Sequence, residues 1–135
     1  MSKAKEKETD DSSTLYKDKY CKLTKTKLRI RTYYFPTGKD KTIDVDEIQL
    51  VYYKKQNCCE DCGQVKGWGM SFTPVWWACD LARGLRRSSS NYYNIAIDTG
   101  STTKKGFTVI NIKEFLASLR LLVSPEKFVP EQIPW

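Results

Sequence analysis

Lys27, Arg29 and Arg31 recur at every second position, and Lys25 extends the row. Alternate residues of an extended strand share a face, so this spacing predicts a ridge of closely set cations. Such a ridge suits phosphate or carboxylate oxygens, which form strong charge-assisted hydrogen bonds to ammonium and guanidinium groups. Lys39 and Lys41 beyond a turn, and Arg83, Arg86 and Arg87 in a second basic stretch, can join it if the fold brings them together. The alternative is a solvated strand face whose charge discourages edge-to-edge pairing.

Other chemistry is thin. Cys58, Cys59 and Cys62 have the spacing of half a zinc site, but tetrahedral zinc takes four ligands. The chain has no histidine, so Cys79 or Cys21 would have to complete the set. Free thiols are the expectation, with no metal or other cofactor. The lack of histidine also removes Ser-His and Cys-His nucleophile pairs. Asp98-Thr99-Gly100 matches the aspartic-protease triplet once only, between a strand and a hairpin, where it reads as a turn. The chain is therefore expected not to be an enzyme. Trp76 and Trp77 are adjacent, so an extended segment cannot bury both, and one is expected at the surface. An indole there suits a protein partner or a membrane interface, and Trp135 is a further contact candidate. Packing under a long loop is the competing reading.

Charge points to the class of partner. The net charge of +7 is uneven: residues 1–31 carry ten Lys or Arg against five acids. That balance favours an acidic protein surface or an anionic membrane lipid. Nucleic acid would use the same cations, with Tyr33, Tyr53, Trp76 and Trp77 for base stacking. No nucleic-acid-binding motif accompanies them, which ranks that partner last. Five cysteines, an odd number, fit reduced thiols in a cytoplasmic or nuclear setting. No segment approaches the apolar length of a membrane span, and MSKAKEKETDDSST lacks a secretory core. The expected location is cytoplasmic, peripheral to a membrane if a lipid is the partner.

The elements that must position these groups are mostly strands. Residues 1–14 lack periodicity and are expected to be a disordered polar tail. A first strand is expected near Tyr20–Leu23 and a clear one over Lys25–Phe35. In the latter, Leu28, Ile30, Thr32 and Tyr34 face one way and Lys27, Arg29, Arg31 and Tyr33 the other. Pro36 and Gly38 make a turn; strands follow at Lys41–Val45 and Ile48–Lys54. Lys55–Gly63 reads as a loop, Val65–Phe72 as a strand, and Pro74 argues against a central strand in the apolar stretch after it. Leu85–Asn91 reads as a mobile basic loop. Tyr92–Asp98 and Phe107–Ile110 are expected to be the last strands, joined by Thr99–Gly106. Asn111–Val123 then predicts a helix: Asn111 as N-cap, Glu114 three residues on, an apolar stripe of Ile112, Phe115, Leu116, Leu119, Leu122 and Val123, and Pro125 as the stop. The proline-containing tail, residues 124–135, is expected to run extended over the surface.

About seven short strands followed by one amphipathic helix resemble the pleckstrin-homology plan. The segment RIRTYYFPTGKDKTIDVDEI, the strand KGWGM, the strand and turn NIAIDTG and the helix NIKEFLASLRLL are similar to the bacterial-type pleckstrin-homology-like domains. The resemblance spans about Tyr20 to Val123, within a domain of residues 15–123. It implies a mainly β (α+β) fold, a partly open antiparallel β-barrel with the helix plugging one end. It also implies that Lys27, Arg29 and Arg31 share the spacing of a basic pattern that, in many such domains, holds headgroup phosphates. That family is largely without assigned function, and a fold alone does not fix one. The expectation is a non-catalytic module binding an acidic protein or anionic lipid through the basic strand face and loops. The runner-up is a structural subunit of a larger assembly, docking through its two tails.

Overall fold

A computed structural model of the chain describes residues 13–57, 65–71, 74–86 and 91–133. The alternation Lys27-Leu28-Arg29-Ile30 forms a strand that buries Leu28 and Ile30 and exposes Lys27 and Arg29. It is third in an antiparallel meander of β1 (Thr14–Lys17), β2 (Cys21–Thr24), β3 (Lys27–Ile30) and β4 (Lys41–Asp44). Cys21 stands opposite Ile30, and Leu28 opposite Ile43, so apolar side chains pair across the inner face. Asp18 shapes the β1–β2 connection. Its carboxylate accepts from the backbone N–H groups of Tyr20 and Cys21, and from Ile110 across the fold.

A second sheet has the order β10–β5–β8–β9–β7–β6. Its centre is antiparallel: β5 (Leu50–Lys55), β8 (Tyr93–Asp98) and β9 (Lys104–Val109). Three short strands extend it: β6 (Gly69–Met70), β7 (Val75–Trp77) and β10 (Phe128–Pro130). β7 joins β9 in parallel, and β10 joins β5 in parallel. The expected strand over residues 65–72 is thus only two residues long among those described. Pro74, read as an argument against a central strand, stands immediately before β7, which has β9 on one side and β6 on the other. Proline lacks an N–H but is tolerated at a strand's start.

The helix α1 (Ile112–Leu119) begins where expected, with the Asn111 side chain accepting from the Glu114 N–H at 3.1 Å. It stops four residues earlier than the apolar pattern suggests. Arg120–Val123 is a turn that still bonds back to the Leu116, Ser118 and Leu119 carbonyls. Phe115, Leu116 and Leu119 enter the main core with Leu23, Leu28, Ile30, Ile43, Val51, Ile95, Ile97, Phe107 and Val109.

The central strands β8 and β9 of the second sheet are buried on both faces. Ile95, Ile97, Phe107 and Val109 point into the main core, whereas Ala96 belongs to a smaller cluster with Val75, Trp77 and Ile133. On that outer face Asn94 pairs with Thr108 and Ala96 with Gly106. The described residues are therefore mainly β, with two sheets and one α-helix. The two sheets share no ladder, so no closed barrel forms among the described residues. None of their helices is long and apolar enough to cross a membrane.

Candidate functional site

The basic ridge is partly neutralised from within. Lys27 is ion-paired with Asp44, its direct partner on β4, and this bond holds its ammonium above the usual range. The Arg29 Nε donates to Asp40 at 2.9 Å. Lys25 is exposed on the turn before β3, and Arg31 is half-buried just past its end. The outward face thus presents two local ion pairs and a peripheral lysine.

The chain then departs from the expected alternation. Thr32 has φ +50°, in the left-handed region, and its N–H donates to the Asp40 carboxylate at 2.9 Å. That one residue inverts the pattern after β3: Tyr33 is buried, while Tyr34 and Phe35 are 42% and 59% exposed. The expectation that Tyr34 points inward and Tyr33 outward is corrected accordingly. Two indoles fix the result, because Trp68 and Trp76 both donate their Nε1–H to the Tyr33 carbonyl, at 3.1 and 2.7 Å. Phe35 packs edge-on against Trp68, with ring centroids 4.9 Å apart.

Cations border this aromatic tip. The Lys41 ammonium donates to the Tyr34 hydroxyl at 3.2 Å and lies 5.8 Å from its ring centroid. Lys39 is exposed, and its carbonyl accepts from the N–H groups of Tyr33 and Tyr34, closing the turn. Met70 is exposed on β6, opposite Trp76 on β7. None of Tyr34, Phe35, Trp68 or Met70 was singled out by charge spacing. The available signal was three consecutive aromatics at the mouth of a Pro-Gly turn, too many to bury on one face.

The second basic stretch has a different role. Arg83, a candidate anion ligand in the sequence, is 1% exposed. Its guanidinium donates to the Asn94 side chain, to the Lys66 and Ala78 carbonyls and to the Thr108 hydroxyl, and it lies 4.6 Å from the Trp77 ring centroid. Burial pulls its pKa down to about 10, against the opposing attraction of Asp80, so it stays charged at neutral pH. Arg86 donates to Asp80 at 2.5 Å, to Gln56 at 2.9 Å and to the Tyr20 hydroxyl at 3.2 Å, and packs over Tyr92. Both arginines fasten the segment before β8 onto the outer face of the sheet. Their donors serve the protein, which removes Arg83 from the candidate ligands and leaves Arg86 committed. Burial raises the Asp80 carboxyl, but the bonds from Arg86 and Thr108 and the Arg83 charge outweigh it and hold the group below its usual value.

Trp77 is fully buried, so it is corrected from surface contact to core. Trp76 is half-buried against Tyr33. Arg87, Trp135, Cys58, Cys59 and Cys62 lie outside the described residues. Cys79 is half-buried, and burial raises its thiol pKa. Among the described residues no group of three Cys, Asp or Glu side chains could hold a metal ion. Asp98 accepts from the Gly100 N–H at 2.8 Å, an ordinary side-chain-closed turn.

Lys105 is also buried, as are Arg83 and Lys22. Its ammonium donates to Thr99, Ser101 and the Thr103 carbonyl. Burial and the neighbouring Lys41 charge lower its pKa. Of these two lysines, it is Lys41 that contacts the aromatic tip. Comparison with family models, with curated proteins and with solved structures finds no match for this chain.

Proposed function

We propose that this chain is a non-catalytic interaction module that docks on an anionic membrane surface through the tip at Tyr34–Lys41. The observation that carries this reading is the exposure of Phe35 and Tyr34 beside Lys39 and Lys41. Aromatic rings suit the layer between headgroups and acyl chains, and neighbouring lysines are drawn to anionic lipid. Lys27 and Arg29 contribute less, because Asp44 and Asp40 already offset them.

A pleckstrin-homology-like fold is part of the proposal. It is supported by the order of the elements: four antiparallel strands, three more in β5, β8 and β9, then α1. In this reading the two sheets form the sides of a partly open barrel, with β7 and β6 extending the second sheet beyond β9. The competing role, a subunit docking through its tails, is less favoured because Phe128–Pro130 is already paired with the chain's own β5.

The test is co-sedimentation with phosphatidylcholine vesicles and with vesicles containing phosphatidylserine. Binding is expected to the anionic vesicles alone and to weaken as salt rises. Phe35→Ser and the pair Lys39→Glu/Lys41→Glu should each weaken it several-fold, more than Lys27→Glu/Arg29→Glu does. No sedimentation at low salt would remove the membrane reading. Retention on an immobilised acidic protein in that case would point to the acidic-protein alternative.

A further inference from the structure

Without residues 128–133, β5 would be the edge of the second sheet, and an unpaired edge is a ready template for another strand. The chain covers that edge with a short piece of itself. Phe128, Val129 and Pro130 pair in parallel with Val51, Tyr52 and Tyr53. The Gln132 N–H then donates to the Tyr53 carbonyl at 3.3 Å. Between them Glu131 takes φ +57°, and Ile133 turns into the outer cluster of Val75, Trp77 and Ala96, where it is 3% exposed. Phe128 packs on the other side, against the main core, with the Arg120 guanidinium 5.5 Å from its ring centroid. The segment therefore straddles the sheet edge, with one apolar anchor on each face.

Its hold is local. The ladder is three residues long, and Pro130 cannot donate to it. Phe128 and Val129 are only half-buried, and the residues leading in, Ser124–Glu126, are exposed. Segments with so few buried contacts open without unfolding the rest. What opening would uncover is more specific than a bare edge: free β5 backbone groups, an aromatic seat beside Arg120, and a branched-aliphatic seat floored by Trp77.

We propose that the β5 edge and the Ile133 seat form a strand-addition site for an extended peptide of a partner protein, held closed by the chain's own residues 128–133. In strand addition, main-chain bonds supply affinity and the side-chain seats supply selectivity. The partner segment that fits carries an aromatic residue, a β-branched residue after it, and an isoleucine-like residue five positions beyond the aromatic, with no charge at these anchors. Apparent affinity for such a peptide is reduced in proportion to the fraction of open molecules. This site lies apart from the Phe35 tip, and vesicle binding bears on neither its existence nor its ligand.

The experiment uses the full chain and a fluorescein-labelled peptide SPEKFVPEQI, the sequence of residues 124–133. Ile133→Asp should empty the outer seat and bind the peptide about 10-fold more tightly than wild type, as read by anisotropy. A peptide with aspartate in place of its isoleucine should bind neither protein. Hydrogen exchange on the wild type provides a readout independent of any variant: the Gln132 amide should exchange well before the amides of β8. Equal protection of Gln132 and β8 would overturn the proposal. So would failure of Ile133→Asp to bind peptide while its β8 amides remain protected. A concentration-dependent dimer of that variant in place of peptide binding would also overturn it, by making a second copy the occupant.

Discussion

Trp77 lies against Gly106 so closely that a β-carbon at Gly106 would stand 2.4 Å from Cε3 of the indole. The glycine is required by that approach, since β9 is otherwise an ordinary antiparallel partner of β8. Gly106→Ala is expected to destabilise the fold by about 2 kcal/mol or more, the usual cost of overpacking a closed contact. Urea denaturation followed by circular dichroism measures it. A change within about 0.5 kcal/mol would mean that Trp77 can move aside.

Asp80 should be the most sensitive member of the polar layer. It is the carboxylate facing Arg86, and it also accepts from Thr108 at 2.6 Å. Removing its charge leaves two guanidinium groups uncompensated, so Asp80→Asn should cost about 3 kcal/mol at pH 7. Because the folded-state pKa is lowered, this contribution is present above about pH 4 and is lost as pH falls through the folded value. Urea midpoints taken from pH 6 down to pH 2 should therefore converge for wild type and variant.

Thr32 carries a backbone conformation that its side chain disfavours. The left-handed region costs a residue with a β-carbon about 1 kcal/mol, and glycine avoids that cost while losing more chain entropy on folding. Thr32→Gly should therefore match the wild type or exceed it by up to about 1 kcal/mol in thermal unfolding. A large loss would show that the threonine side chain contributes to the turn.

Asn111→Ala removes the acceptor for the Glu114 N–H and should cost about 1 kcal/mol. Asn111→Ser should recover most of it. Guanidinium melts of the three proteins decide the matter, and equal midpoints would mean that the contact between Tyr16 and the Asn111 backbone alone fixes the start of α1.

Features set by near neighbours were readable from the chain. The two-residue period of Lys27–Ile30 and the cap-and-stripe of Asn111–Leu119 each depend on residues within a few positions. The inversion at Tyr33 was not readable, because it depends on Asp40 reaching back eight residues to the Thr32 N–H. Arg83 misled for a related reason. In the sequence it belongs to an exposed basic stretch, and its acceptors come from Lys66, Ala78, Asn94 and Thr108. Asn94 and Thr108 themselves alternate with apolar residues as a solvated face would, yet the segment before β8 covers them. The candidate tip was thus half visible: its lysines were named from charge, while its exposed rings depended on one backbone angle.

The two indole N–H groups that converge on the Tyr33 carbonyl also make the protein its own optical sensor. Indole emission responds to the polarity and hydrogen bonding around the ring, and Trp68 sits directly beneath Phe35. Any binder that covers the tip must change the surroundings of Trp68, and any shift of residues 33–39 must strain or release its bond. Trp77, sealed beneath the outer layer, would supply a steady background in the same spectrum. Candidate binders can therefore be screened by native tryptophan fluorescence, with no dye attached near the surface in question.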